Sequence, residues 1–326
     1  MKVVVVIVAY KGNRWIPKCI ESIRPSKRHD IHLLIVDNFD TPCLSKIQSN
    51  DLPLSIIKTD KPMGFAEANN FAFTHRECAG DAVVLLNQDT WSEYNWIPDC
   101  ADILEASPGI AAISPTVKQY DNDQLDINYE TCLREDAILG SEAAISSITK
   151  VPAVALMIRW NDLRAVGPFD PIYGSYYEDY DLCRRLDRRR EGIAVAQKPW
   201  VRHYSGSATT TQEAREKRMI QIIRNRLIYR LRNDEKNRMW IFLTFLLFNL
   251  PKNLLRGLLN TESSQPCFVT LKALISVIRV SPRICSKRRD LSAWKTYLDR
   301  IAWGEKIGRK NSRFQPNTRF KDAEKN

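Results

Sequence analysis

The feature that most constrains this chain is the alternation of short apolar runs, rich in β-branched residues, with segments of helical periodicity over its first 120 residues. Helical segments carry apolar side chains three to four positions apart, the spacing of a helix with one buried face. Continuous apolar runs are typical of strands covered on both faces. The order predicts an α/β fold with a mostly parallel central sheet flanked by helices. The apolar runs are 3–10, 31–38, 54–59, 82–87 and 110–117, and the helical segments between them are 14–24, 64–78 and 95–107.

The chain changes character near residue 215. Before that point, residues 121–150 are polar and are interpreted as a surface excursion, and 151–159 and 193–199 are further strand candidates. Beyond it only helical patterns remain, and the charge balance reverses. Residues 1–214 carry 23 Lys and Arg against 29 Asp and Glu, whereas 215–326 carry 26 against 9. We predict an α/β domain over 1–214 and a basic, helical C-terminal region with a flexible tail over 215–326.

Polar side chains follow several of the apolar runs, at the carboxyl ends of strands where open parallel sheets bind ligands. Tyr10 closes the first run, Asp37 and Asn38 the second, and Asn87 with Asp89 the fourth. Asp37 and Asn38 could hydrogen-bond a nucleoside or cap a turn after the strand. The Asp89 carboxylate could hold a divalent cation together with a diphosphate. The alternative for Asp89 is a turn-forming or helix-capping residue.

Further candidates lie at predicted helix starts and after the last strand. Gly64 begins a helical segment and Asn70 follows it, which suits close approach of a nucleotide but is also an ordinary helix start. Glu178 and Asp179 open an acidic helix, where a carboxylate could act as a general base or merely favour the helix N-terminus. His203 could complete a metal site or contact a phosphate. A hydrogen-bonded surface histidine is the alternative.

The order of these motifs is more informative than any one of them. The chain contains, in sequence, VVVVIVAYKGNRWIPKCIESI, LLIVDN, MGFAEANNFAF, VVLLNQDT, VGPFDPIYGSYYEDYDLCRRL and WVRHYSG. As an ordered set they resemble the family 2 glycosyltransferases, in particular the bacterial rhamnosyltransferase-like branch that builds surface polysaccharides. The resemblance covers approximately residues 1–232.

This resemblance implies a GT-A fold, a nucleotide-diphospho-sugar donor, a divalent cation (Mg²⁺ or Mn²⁺) and inversion at the anomeric carbon. By position, Asp89 and His203 would hold the metal. Asp179 would be the catalytic base, and Glu178 would orient the base or the acceptor. The residues that would line the nucleotide pocket are Tyr10, Asp37, Asn38, Gly64, Asn70 and Asn87.

Asn87 departs from the family pattern, which has the first acid of an Asp-x-Asp motif at this position. Its amide can serve a ribose or a metal-bound water, but the missing negative charge loosens metal binding. The leading expectation is transfer of a sugar from a thymidine- or uridine-diphosphate donor, with rhamnose as the first choice. The expected acceptor is a glycan or a polyprenyl-diphosphate-linked glycan in cell-surface polysaccharide synthesis. The alternative is a nucleotide-sugar-binding protein without catalysis.

Two apolar runs lie within the basic region, at 239–250 and 268–280. Each is shorter than the roughly 20 residues of a membrane-spanning helix, and each fits either an interfacial helix or a core helix packed on the α/β domain. Clustered Lys and Arg attract anionic headgroups, while the scarcity of aromatic residues argues against nucleic acid. We predict an anionic membrane surface as partner. The eight cysteines lack a Cys-x-x-Cys pair, which favours a cytoplasmic location, at the inner face of the membrane.

Overall fold

The structure is a computed structural model that describes residues 1–39, 41–47, 51–189, 192–205, 211–234, 237–249, 251–252 and 265–285. The predicted tail beyond residue 285 lies outside the described residues. The strands are β1 (Lys2–Ala9), β2 (Asp30–Asp37), β3 (Leu54–Lys58), β4 (Ala82–Asn87), β5 (Thr90–Trp91), β6 (Ala112–Gln119), β7 (Ile145–Ile148), β8 (Ala155–Arg159) and β9 (Ile193–His203).

Nine α-helices are described, and the predicted helical segments fall on them. They are α1 (Ile16–Glu21), α2 (Phe65–Phe73), α3 (Trp96–Ala106), α4 (Ile127–Glu135), α5 (Trp160–Val166), α6 (Glu178–Asp187), α7 (Gln212–Asn233), α8 (Arg238–Thr244) and α9 (Gln265–Cys285). Helix α8 continues as a π-helical segment, Phe245–Asn249. The polar stretch 121–150, which we interpreted as a surface excursion, contains regular secondary structure, namely α4 and β7.

All nine described strands belong to one sheet, with the order β3-β2-β1-β4-β8-β6-β9-β5 and with β7 paired to β9. Strands β3, β2, β1 and β4 are parallel to one another, as predicted. Strand β8 runs antiparallel to both β4 and β6, and β9 is again parallel to β6. The sheet is therefore mixed rather than mostly parallel. An apolar run identifies a strand buried on both faces, but it carries no information about direction.

The core of the α/β part lies between this sheet and its helices. Helix α2 packs on β1 and β2, α3 packs on β6, β8 and β9, and α5 packs on β4 and β8. Residues Val3–Ile7 of β1 have no exposed surface, which accounts for the uninterrupted apolar run at the start of the chain. This central strand ends at Ala9, and Tyr10, one of the predicted site residues, follows it.

The helices of the basic region form a second apolar cluster. It joins Ile228 of α7, Ile241 of α8 and Val277 of α9 to Ile172 and Tyr173, which precede α6. Helix α7 is thus packed on the loop that leads into the acidic helix. Among the described residues, no helix combines the length and the hydrophobicity needed to cross a bilayer.

Candidate active site

Four strands end at the same edge of the sheet, and each end carries a predicted site residue. Strands β1, β2 and β4 are mutually parallel, and β9 has the same direction because two antiparallel pairings separate β4 from β6. Tyr10 follows β1, while Asp37, Asn87 and His203 are the last residues of β2, β4 and β9. The fold therefore brings these distant residues to one edge, as expected for ligand binding at the carboxyl ends of strands.

Asp89 and His203 face each other at this edge. The His203 Nε2 atom lies 3.5 Å from Asp89 Oδ1 and 3.3 Å from Asn87 Nδ2. The Asp89 side chain is 23% exposed, so its carboxylate remains accessible to a ligand. Their backbones are fixed by the pairing of β5 with β9 and by the hydrogen bond from Tyr204 N to Asp89 O, 3.0 Å long.

Asp126 is a site residue that the sequence analysis missed. Its Oδ2 atom lies 3.0 Å from His203 Nδ1, and its Oδ1 atom accepts hydrogen bonds from the backbone N–H groups of Asn128 and Tyr129 at the start of α4. A histidine that donates from Nδ1 to a carboxylate presents the lone pair of Nε2 when the ring is neutral. The only signal for Asp126 in the sequence is an Asp directly before a short helical pattern.

Two carboxylates surround the buried imidazole and determine its protonation. Burial of His203 disfavours the imidazolium form, but hydrogen bonds to Asp126 and Asp89 and their negative charges prevail and raise its pKa to about 9. Burial acts on Asp126 in the opposite sense, yet hydrogen bonds from His203 and Ser205 hold the pKa of that carboxyl below its usual value. The site thus places one carboxylate beside each nitrogen of the His203 ring, and this negative charge favours a cation.

These residues fit a divalent cation. A partly exposed carboxylate oxygen faces the His203 Nε2 atom, which offers a lone pair once a metal displaces its proton, and an amide adjoins them. Carboxylate oxygen and imidazole nitrogen are both common ligands of divalent metals. Asp89 and His203 are the two candidate ligands, and Asp126 lies behind His203 as the residue that orients it.

Replacing Asp126 by Ala is expected to lower the free energy of unfolding by about 1–3 kcal/mol, because the start of α4 and His203 each lose a hydrogen-bond acceptor. We also expect Mn²⁺ affinity to fall by about 10–100-fold. Urea denaturation and calorimetric Mn²⁺ titration measure the two effects. Asp126→Asn keeps an acceptor for the α4 N–H groups, so it should retain most of the stability but still lose Mn²⁺ affinity. Wild-type Mn²⁺ binding in this second variant would exclude a positioning role.

Glu178 and Asp179, in the first turn of α6, lie at the same end of the sheet and are largely buried. Asp179 is half-buried, and its carboxylate accepts hydrogen bonds from Ala153 N (3.2 Å) and Tyr180 N (2.8 Å). Burial raises the pKa of Asp179 to about 6, against the lowering effect of these backbone N–H groups. A carboxyl group with this pKa can accept and release a proton near neutral pH.

Glu178 is more deeply buried than Asp179. Only 4% of the residue is exposed, and its Oε2 atom has no hydrogen-bond partner among the described residues. Burial and the charge of Asp179 raise the pKa of Glu178 well above its usual value. A buried polar atom of this kind is unusual in a folded protein and marks Glu178 as a candidate functional residue.

The segment before α6 has a strained backbone and is held from two sides. Tyr176 and Tyr177 adopt positive φ angles of 71° and 70°, a conformation that non-glycine residues rarely adopt. On α7, Asn225 Nδ2 donates to the carbonyl oxygens of Tyr173, Ser175 and Tyr176 at 2.7–2.8 Å. Strain that the surrounding structure maintains is frequent at functional sites.

Asn70 holds the beginning of the same segment. Its amide pairs with the backbone N–H and carbonyl of Phe169 at 3.0 and 2.9 Å. Asn38 is similarly engaged, because its amide pairs with the backbone N–H and carbonyl of Met63 at 2.8 and 2.9 Å. The side-chain amides of these two predicted nucleotide-pocket residues are therefore engaged by the backbone of the protein.

Among the other nucleotide-pocket candidates, Tyr10 and Gly64 are exposed, whereas Asp37 is buried. Tyr10 is 41% exposed, and the Gln88 amide fixes its backbone by two hydrogen bonds of 2.9 Å. Asp37 Oδ1 accepts a hydrogen bond from Thr41 N at 2.8 Å. Gly64 precedes α2 with φ −67°, and a Cβ there would come no closer than 3.5 Å to its neighbours. Neither the backbone nor the packing of the chain requires a glycine at 64.

Two consecutive residues, Ala153 and Val154, connect Asp179 with the Asp89–His203 pair through hydrogen bonds of their backbone groups. Ala153 N donates to Asp179, and the next residue, Val154, accepts a hydrogen bond from Asn87 N at 2.8 Å. Asn87 in turn contacts His203. Asp179 and the Asp89–His203 pair are therefore at the same end of the sheet, on either side of the Val154–Asn87 contact.

The opposite edge of the sheet contains none of the predicted site residues. A cavity of about 480 Å³ is present there, lined by Met1, Gly80, Asp81 and Arg159 among others. His29 is nearby, and its ring contacts the N-terminal amine at 3.1 Å and Asp102 at 2.7 Å. These contacts satisfy both ring nitrogens, so this group is explained as an ion-pair network.

Comparison with known proteins identifies the fold. Residues 4–155 match the family model described as glycosyl transferase family 2, and no curated protein matches the chain by sequence. Among solved structures, residues 1–349 of Staphylococcus aureus TarS align over 94% of this chain and 92% of their own length, with a TM-score of 0.56 and 14% identity. The same protein in complex with UDP-GlcNAc gives a TM-score of 0.58, with 14% identity over 93% of this chain and 92% of that one.

A second similar structure is the mannosyltransferase PcManGT from Pyrobaculum calidifontis in complex with GDP-Man and Mn²⁺. It aligns over 92% of this chain and 86% of its own length, with a TM-score of 0.55 and 13% identity. The mixed sheet, its flanking helices and the C-terminal helices match these GT-A glycosyltransferases, which confirms the predicted fold class. Residues 4–155 are thus similar to glycosyl transferase family 2, and the chain has the fold of the GT-A glycosyltransferases.

Proposed function

We propose that the protein is an inverting glycosyltransferase that moves a sugar from a nucleotide-diphosphate donor to a hydroxyl group of an acceptor. The observation that supports this most strongly is the joint placement of the Asp89–His203 pair and of Asp179 on either side of the Val154–Asn87 contact. One carboxylate is suited to a cation and the other to a proton. Direct displacement at a sugar carbon needs both groups near one bond.

The reaction follows from the charges that develop. The acceptor oxygen attacks the anomeric carbon and forms the new glycosidic bond, while Asp179 takes the hydroxyl proton. The bond between the anomeric carbon and the diphosphate oxygen breaks, and its electron pair leaves with the nucleoside diphosphate. A divalent cation held by Asp89 and His203 would stabilise the negative charge of that leaving group. Attack from the side opposite to the leaving group inverts the anomeric configuration.

The donor pocket is assigned to the ends of β1 and β2. Tyr10 offers an exposed aromatic ring, and Asp37 offers a carboxylate at the base of the pocket. Gly64 leaves room for close approach to the start of α2. TarS bound to UDP-GlcNAc and PcManGT bound to GDP-Man support a nucleotide sugar as the donor. By the sequence resemblance, rhamnose on a thymidine diphosphate is our first choice and a uridine-linked hexose is the second.

The acceptor is assigned to the Asp179 side of the site. We propose a glycan, free or linked to a polyprenyl diphosphate, in the synthesis of cell-surface polysaccharide at the inner face of the cytoplasmic membrane. The charge excess of residues 215–326, with 26 basic against 9 acidic residues, supports this location.

A thermal-shift screen of nucleotide sugars, with and without Mn²⁺, tests the proposed donor class. We expect at least one dTDP- or UDP-sugar to raise the melting temperature, and to raise it further with Mn²⁺, because a ligand that binds only the folded state stabilises it. The matched control is the same set of free sugars without the nucleotide, which should have no effect. If no nucleotide sugar shifts the melting temperature in either condition, the proposed function is wrong.

A further inference from the structure

We propose that the outward faces of α8 and α9 form a docking surface for an anionic lipid bilayer, with both helices lying in the plane of the interface. We call this surface the apolar stripe. Its members are large apolar side chains that remain exposed although their helices pack on α7. They are Met239, Trp240, Leu243, Leu247, Phe248, Phe268, Leu271, Ile275 and Ile278.

Helix α9 has two distinct apolar faces. One face is buried in the cluster with α7 and contains Leu274 and Val277. The other is a stripe of four exposed residues, and at 100° per residue they fall within an arc of about 80°. Their exposed fractions are 57% for Phe268, 45% for Leu271, 41% for Ile275 and 53% for Ile278. Packing inside the protein explains the first face and leaves the second without a partner among the described residues.

Helix α8 and its π-helical continuation repeat this arrangement. Ile241 and Phe245 are buried against α7, while the side chains that point away are among the most exposed apolar residues of the chain. The exposed fractions are 68% for Met239, 59% for Trp240, 64% for Leu247 and 68% for Phe248. Soluble proteins rarely expose so many large apolar side chains in one region unless that region binds something.

The surrounding charge identifies the partner. Residues 237–285 contain six Lys and Arg and one acidic residue, and Arg238, Lys252 and Arg279 are exposed beside the apolar stripe. A second copy of the chain would bring the same positive charges together, which opposes self-association. An anionic bilayer satisfies both the apolar side chains and the charges around them.

Docking through this surface has a consequence for the active site. Lys272 of α9 pairs with Glu216 of α7 at 2.6 Å, and α7 holds the strained segment before Asp179 through Asn225. The bilayer therefore contacts elements that are attached to the acceptor side of the site. Only the statement that the bilayer lies on the acceptor side of the active site rests on the proposed function. The membrane contact itself does not depend on sugar transfer.

Co-sedimentation of the full chain with lipid vesicles tests the proposal. The probes are vesicles of phosphatidylcholine alone and vesicles in which half of the lipid is phosphatidylglycerol. We expect the wild-type protein to bind the anionic vesicles, with roughly tenfold weaker binding in the double variants Leu247→Gln/Phe248→Gln and Phe268→Gln/Ile278→Gln. Arg238→Gln/Arg279→Gln should weaken binding only to the anionic vesicles, and high salt should have the same effect.

The matched control is Ile127→Gln on α4, which replaces an apolar residue of 66% exposure outside the stripe and should bind vesicles like the wild type. All substituted positions are exposed, so circular dichroism and donor-induced thermal shifts should stay unchanged. Two outcomes overturn the proposal. One is that the stripe variants bind the vesicles as strongly as the wild type does, or that neither the variants nor the wild type bind them. The other is a wild-type dimer in sedimentation equilibrium that the stripe variants dissociate, which would make the stripe a contact between copies.

Discussion

Replacing Asp179 by Asn is expected to lower kcat for sugar transfer by about 10²–10⁴-fold while the affinity for the nucleotide sugar stays within about threefold of the wild type. The amide has nearly the shape of the carboxylate but cannot accept the proton of the attacking hydroxyl group. Asp179 also lies on the acceptor side of the Val154–Asn87 contact, away from the donor pocket. Single-turnover transfer and calorimetric donor binding measure the two quantities separately.

The dependence of the rate on pH gives a second readout for the same residue. Burial raises the pKa of Asp179 to about 6, so the unprotonated form that can act as a base appears as the pH rises through this value. Below pH 6 the wild-type rate should increase about tenfold per pH unit and then level off. The Asn variant should lose this rise. A variant with full transfer activity would show that Asp179 is not the base.

Stability provides a control against unfolding of this variant. The pKa of Asp179 in the folded chain is higher than the ordinary aspartate value of 3.8, so folding favours the protonated group. This contribution is complete below pH 3.8 and is lost as the pH rises through about 6. Asp179→Asn should therefore be at least as stable as the wild type at pH 7. Asp187→Asn, at the far end of α6 where Asp187 pairs with Arg184, should leave transfer unchanged.

The sequence predicted the strands and the residues at their ends because burial on both faces leaves a strong pattern. The uninterrupted apolar run from Val3 to Ile7 is typical of a central strand, and the polar residues that follow such runs lie at the carboxyl ends of the strands. This is why the sequence placed Asp37 and Asn87 at strand ends, whereas His203 lies four positions beyond the predicted strand 193–199 and ends the longer strand β9. The direction of β8 was not predicted, since apolar content does not encode it.

The residues that the sequence did not reveal act through single hydrogen bonds between distant segments. Asp126 lies 77 positions from His203, and Gln88 lies 78 positions from Tyr10. Asn225 binds carbonyl groups about 50 positions away in a segment whose strain only coordinates can show. None of these contacts produces a periodic pattern. The roles of Asn38 and Asn70 depend on such contacts too, because their amides hold backbone groups.

Replacing Asp89 by Ala is expected to weaken Mn²⁺ binding by about 10²-fold and to lower kcat for transfer by at least about 10²-fold. Among the described residues, the Asp89 carboxylate lies 3.5 Å from His203 Nε2, whereas Asp126 contacts the other ring nitrogen. Calorimetric titration of the free protein with Mn²⁺ checks the first effect without reference to activity. Asp234→Asn, at the end of α7 beside Arg230, is the control.

Asn87→Asp is the complementary change. It distinguishes a site that binds a metal weakly from a protein that has no metal site at this position. Asn87 Nδ2 lies 3.3 Å from His203 Nε2, so an aspartate there adds a negative charge beside the candidate ligands. Affinity for divalent cations rises with the number of charged ligands, and we expect Mn²⁺ to bind about tenfold more tightly. If Asp89→Ala leaves Mn²⁺ binding unchanged and Asn87→Asp does not improve it, the cation is not held here. Charge on the leaving diphosphate would then have to be stabilised by other groups, since Asp89 and His203 would have no part in it.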